Sequence, residues 1–128
     1  MTTDEFKKFL DEFVPLFSLN LALSGLATVD NVDRSDESNV LIRFSKPIKN
    51  YPTSYKYLLL TNDIWSDTYS ILFQLLSAKD TIRYLDIFNN KGCMYSQGKD
   101  TSDIVSVICN VLLEGSVTNE RQIGFIRE

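Results

Sequence analysis

The sequence predicts an α+β fold in a single domain, and three observations predict it. The chain has 128 residues, enough for one hydrophobic core and too few for two. Apolar residues recur at helical spacing near both ends of the chain. Between them lie β-branched and aromatic runs punctuated by Gly, Pro and Asn. The expected order is an N-terminal helix and then an antiparallel sheet packed by helices, α-β-β-(β)-α-β-β-α. A composition 44% apolar and 23% charged is that of a folded chain rather than a disordered one.

The first helix opens on Thr2-Thr3-Asp4-Glu5, which has the spacing of a capping box with Thr2 as cap and Glu5 three residues on. Phe6, Phe9, Leu10, Phe13 and Phe17 then form one aromatic stripe, suited to packing on a sheet. Pro15 lacks an N–H and its ring meets the carbonyl four residues back, so the helix is expected to stop or kink near Val14. "ALSGLATVD" (residues 22–30) and "NVLIRFSK" (39–46) read as strands joined by the acidic stretch "TVDNVDRSDES" (28–38). A further strand is expected at "SYKYLLL" (54–60), after the Pro-marked turn "KNYPTS". Asn62 or Asp63 is placed to cap a second helix, with Trp65, Tyr69, Leu72, Phe73 and Leu76 on one face and Ile64, Ile71 and Leu75 widening it. So broad an apolar circumference predicts a place at the centre of the core. "TIRYLDIFNNKGCMYS" (81–96) reads as a hairpin turning at Asn89, Asn90 and Gly92. The last helix is expected from Thr101 or Ser102, with Ile104, Ile108, Val111 and Leu112 on one face and Gly115 ending it. The tail "ERQIGFIRE" suits a short strand or a final turn. This order resembles that of the small bacterial type III secretion chaperones, which are also acidic and of this size. The resemblance lies in the arrangement of elements, with no shared motif.

Chemistry is constrained mainly by what is missing. The chain contains no histidine, which removes the commonest general base, imidazole-dependent triads and the commonest metal ligand. Two cysteines, Cys93 and Cys109, cannot complete a tetrahedral zinc site, and no G-x-S-x-G, P-loop or G-x-G-x-x-G occurs. The sequence therefore predicts a non-enzymatic protein with no cofactor and no bound metal. The cysteines read as buried thiols of a reducing compartment, a single disulfide being the other arrangement. The start "MTTDEFKKFLDEF" is acidic and amphipathic, unlike a basic stub followed by an apolar leader. No apolar run approaches the roughly 20 residues of a membrane span. A cytoplasmic protein without a membrane partner is expected.

Charge is distributed unevenly along the chain. Residues 1–38 hold eight acids and three bases, a local charge of −5. Residues 39–61 hold Arg43, Lys46, Lys49 and Lys56 with no acid. Within the acidic part, Asp30, Asp33, Asp36 and Glu37 surround a single Arg34. Their spacing does not fit a calcium loop: counted from Asp33, the sixth and twelfth places are Ser38 and Phe44, where Gly and Glu are needed. Clustered carboxylates on a loop suit the steering of a basic protein, with aromatics such as Tyr51 and Tyr55 as rim anchors. The sequence thus favours an immunity or inhibitor protein that occludes a basic toxin domain, for which a nuclease is the natural candidate. A secretion chaperone holding an effector segment is the alternative within protein binding. The basic stretch Arg43, Lys46, Lys49 and Lys56, interleaved with aromatics, offers a nucleic-acid- or ligand-binding alternative. An isoelectric point near 4.8 disfavours that option.

Overall fold

The computed structural model describes residues 2–48, 55–62, 69–77, 93–96, 100–113 and 122–126. The capping box forms: Glu5 N–H donates to Thr2 Oγ1 at 3.1 Å, and Thr2 N–H donates to Glu5 Oε1 at 3.2 Å. From it runs helix α1, Thr3–Ser24. Phe6, Phe9, Phe13 and Phe17 stack in succession along its buried face, with ring centroids 5.0–6.4 Å apart. Contrary to expectation, α1 runs through Pro15. An interior proline costs a helix about 3 kcal/mol. Ending there would withdraw Phe17 and Leu21, both fully buried, at about 1.5–3 kcal/mol each. Pro15 and Asp11 are both exposed, so water can serve the Asp11 carbonyl that Pro15 cannot.

The strand expected at residues 22–30 therefore begins late. Ala22, Leu23 and Ser24 form the last turn of α1, which ends at Gly25 with φ 70°, a left-handed conformation that favours glycine. Gly25 N–H donates to the Ala22 carbonyl and Leu26 N–H to the Leu21 carbonyl, closing the helix end. Strands β1 (Val29–Asp33), β2 (Asn39–Phe44) and β3 (Tyr55–Asn62) follow, each antiparallel to the next.

The largest correction concerns the second predicted helix. Residues Tyr69–Ser77 form a strand, β4, antiparallel to β3, with Leu60 opposite Phe73 and Leu58 opposite Leu75. Ile71, Phe73 and Leu75 join the main core, while Leu72, Gln74 and Leu76 occupy alternate positions and are buried too. A strand buried on both faces carries an unbroken apolar run, which periodicity cannot tell from a buried helix. Trp65 and Ile64 lie outside the described residues. With a strand at Tyr69–Ser77, the elements of the described residues do not include the expected central helix.

Strand β5 (Cys93–Ser96), helix α2 (Thr101–Leu113) and strand β6 (Gln122–Ile126) complete the α+β domain. The sheet order is β1-β2-β3-β4-β6-β5, with β6 antiparallel to β4 and parallel to β5. Cys93–Ser96 was expected to be the second arm of a hairpin; its described neighbour is instead β6, across a helical crossover, which parallel pairing requires. The rest of that hairpin, its turn at Asn89, Asn90 and Gly92, and Gly115 lie outside the described residues. The tail forms a strand, one of its two expected conformations.

Both helices join the core on one face of the sheet. Phe6, Phe13 and Phe17 of α1 and Ile104, Ile108 and Leu112 of α2 belong to the same cluster as Ile42, Phe44, Leu58, Leu60 and Phe73. Phe13 meets Phe73 at 5.4 Å between centroids. On the opposite face, Leu59 and Leu76 form a smaller buried cluster with Leu41 and Tyr57 packed on it. Cys109 is a buried free thiol, and burial pushes it up to about 11.

Candidate protein-binding site

The connection between β1 and β2, residues 34–38, is held from three directions. Inside it, two aspartates serve the backbone. Ser35 N–H donates to Asp33 Oδ1 at 2.9 Å, and Ser38 N–H and Asn39 N–H donate to Asp36 Oδ1 at 2.8 and 3.2 Å. These local bonds are why aspartate suits a tight turn: its side chain stands in for a backbone acceptor. Towards the helix, Arg34 reaches back across the fold, pairing with Asp11 at 3.0 Å and donating to the Lys7 carbonyl at 3.4 Å. Towards the sheet, the Ser38 carbonyl accepts from Asn62 N–H at 2.8 Å, and Thr61 Oγ1 donates to Asn39 Oδ1 at 2.9 Å. The loop is thus a positioned element, with a small depression of about 50 Å³ between Asp33, Ser35, Asp36, Asn39, Leu41 and Leu59.

The four carboxylates singled out in the sequence do not share one environment. Asp30 pairs with Arg43 at 2.6 Å. The β1–β2 register explains this contact: Val29 faces Phe44 while Asn31 faces Arg43, so Asp30 is the extra residue of a one-residue shift and turns towards Arg43. Asp33, Asp36 and Glu37 are exposed. The two ion pairs among the described residues are Arg34–Asp11 and Arg43–Asp30, and neither involves these three. Hydrogen bonds from Ser35, its hydroxyl first and its backbone N–H second, hold the Asp33 carboxyl below the usual range, so it is charged at neutral pH.

The described residues of the alternative basic stretch stand in different surroundings. Arg43 is occupied by Asp30, Lys56 is half-buried at a register shift in β3, and Lys46 is exposed beyond β2. Lys49 and Tyr51 lie outside the described residues, and of Tyr55 only its place at the start of β3 is described. Sequence reasoning missed the two arginine contacts. The Asp30–Arg43 contact was within reach, because a short connection centred near Asp36 sets residue 30 beside residue 43. The Arg34–Asp11 contact was not, since it depends on how α1 lies over the sheet.

Among the described residues, no three acidic or sulfur side chains gather in a way that could hold a metal ion. No helix among them is long and apolar enough to cross a membrane. No family model, curated protein or solved structure matches the chain.

Proposed function

We propose that the protein is a non-enzymatic, acidic binding module of the immunity or inhibitor kind, which occludes a basic domain of a partner toxin through the β1–β2 connection. The observation that carries this reading is the disposition of charge in the loop. Arg34, the loop's own cation, is turned back onto Asp11, so Asp33, Asp36 and Glu37 face solvent with no cation partner. Their backbone is fixed by Asx turns and by the link to Asn62, so little ordering entropy is lost when a partner docks. Pre-positioned carboxylates of this kind resemble a phosphate backbone in charge, which suits the basic cleft of a nuclease. The basic-stretch alternative draws no comparable support, because Arg43 is neutralised within the sheet.

The test begins with capture of the partner from a lysate of the native host, followed by association kinetics. Asp33→Asn, Asp36→Asn and Glu37→Gln together remove three charges and keep the side-chain oxygens that accept the turn hydrogen bonds. From Asp30 to Glu37 the charge goes from four acids and one base, −3, to one acid and one base, 0. The triple variant is expected to keep its fold with only a small loss in melting temperature, and to associate about tenfold more slowly at low salt, with the difference closing towards 1 M. A captured partner without a basic domain, or an unchanged on-rate, would remove the basis for the proposal.

A further inference from the structure

The acidic loop owes its uncompensated charge to a residue that is not part of it. Asp11 lies on the exposed side of α1, 23 residues before Arg34. Arg34 Nη1 donates to Asp11 Oδ1 at 3.0 Å, and Nη2 donates to the Lys7 carbonyl at 3.4 Å. The Arg34 side chain is 38% exposed and that of Asp11 69%, so most of the arginine is covered while the carboxylate stands in water. The Asp11 contact is the shorter of the two and joins opposite charges, which makes it the stronger hold. An exposed pair still holds weakly, so loss of its one carboxylate is enough to free the guanidinium. The acids nearest Arg34 in the chain are then Asp33, Asp36 and Glu37, all within three residues of it.

We propose that Asp11 is a positioning residue for the loop: by holding Arg34 on α1 it keeps a cation out of the field of Asp33, Asp36 and Glu37. The arrangement has two states that differ in the place of one charge. With Arg34 on α1, the three carboxylates face solvent without a cation. With Arg34 released, one of their charges is offset at close range. Coulomb energy falls with distance and is screened beyond about 10 Å at 0.1 M salt. An approaching cation therefore feels Arg34 more strongly within the loop than on the helix. The consequence for binding deepens the proposed function and rests on it. A basic partner docked on the loop repels Arg34 towards α1, and by linkage the Arg34–Asp11 pair favours docking to the same degree. Asp11 thereby sets the strength of binding from outside the loop.

The field at the loop can be read on the full chain without a partner. NMR relaxation of the Ser35 and Ser38 amides is compared between a cationic nitroxide, aminomethyl-PROXYL, and an anionic one, carboxy-PROXYL. The ratio of the two effects should fall about twofold in Asp11→Asn and return in Asp11→Glu. In an Arg34→Gln background, Asp11→Asn should change the ratio little, because no tethered cation is left to release. The circular dichroism spectrum should stay that of the wild type throughout, since both positions are exposed. Loss of one charge alone would act alike in both backgrounds, so equal falls, or no fall, would overturn the proposal. Association kinetics with the basic partner separate the tether from the proposed function. Asp11→Asn is expected to slow association about threefold, and by less in the Arg34→Gln background. A slowed Asp33→Asn, Asp36→Asn, Glu37→Gln variant without that coupling would leave loop binding intact and remove the part of Asp11 in it. An unchanged triple variant would remove the proposed function and leave the nitroxide ratio to decide the tether.

Discussion

At the scale of single residues, the aspartates Asp33 and Asp36 both accept the turn's hydrogen bonds and carry its charge. Asp33 Oδ1 accepts the Ser35 N–H, and the bonded carboxylate stays ionised below the ordinary aspartate value of 3.8. A carboxyl whose folded value is lowered stabilises the fold fully above its unfolded value and loses that contribution as pH falls through the folded one. The window for Asp33 therefore lies below about pH 3.8. An NMR titration should place its midpoint below that of an unstructured aspartate, and Ser35→Ala should bring it part of the way back, since one of the two donors remains. A midpoint unmoved by Ser35→Ala would leave the hydroxyl without a role. Pro15 is the other residue whose neighbours decide its effect. It occupies an exposed helix interior with an unserved Asp11 carbonyl, so Pro15→Ala should stabilise the fold by about 1–3 kcal/mol in chemical denaturation. The gain falls short of the full propensity difference because proline also restricts the unfolded chain. A loss of stability would show that the proline ring contributes packing of its own.

At the scale of elements, α1 and β4 show opposite lessons about apolar patterns. The α1 stripe repeats at helical spacing with charges on the other side of its first half, and it can be read only one way. The β4 run Ile71–Leu76 is apolar at almost every position, so a helix and a doubly buried strand fit it equally well. The strand is favoured once β3 offers a partner for each of its residues from Ile71 to Leu76. This has a measurable consequence. Adjacent residues of a strand point to opposite faces, yet Leu72 and Phe73 are both buried, at 4% and 0% exposure. Leu72→Ala should cost about 2–5 kcal/mol and Phe73→Ala about 3–5 kcal/mol. Equilibrium denaturation would check both, and a Leu72→Ala cost under ~1 kcal/mol would mean that the face away from the helices is not closed.

At the scale of the whole molecule, charge and apolar surface are segregated along α1. Its first half carries six charged residues and the Arg34 tether of the acidic loop; its second half carries none and exposes three leucines. The acidic surface should answer to salt. Association with a basic partner is expected to slow as ionic strength rises from about 0.01 M to 1 M, where the screening length shrinks from ~30 Å to ~3 Å.

The sequence by itself determined the local features whose causes are local. The capping box at Thr2 and Glu5, the buried aromatic stripe, the α2 face of Ile104, Ile108 and Leu112, and strands β2 and β3 all follow from spacing and side-chain chemistry within a few residues. The acidic loop was legible as an exposed connection for the same reason. Tertiary structure decided the rest, wherever two conformations were close in local energy and distant contacts settled the matter. The burial of Phe17 and Leu21 carries α1 through Pro15, and pairing with β3 makes Tyr69–Ser77 a strand. Which carboxylates remain without a cation was decided in the same way: Asp30 is neutralised by a register shift, Arg34 is drawn away by α1, and Asp33, Asp36 and Glu37 are left facing solvent.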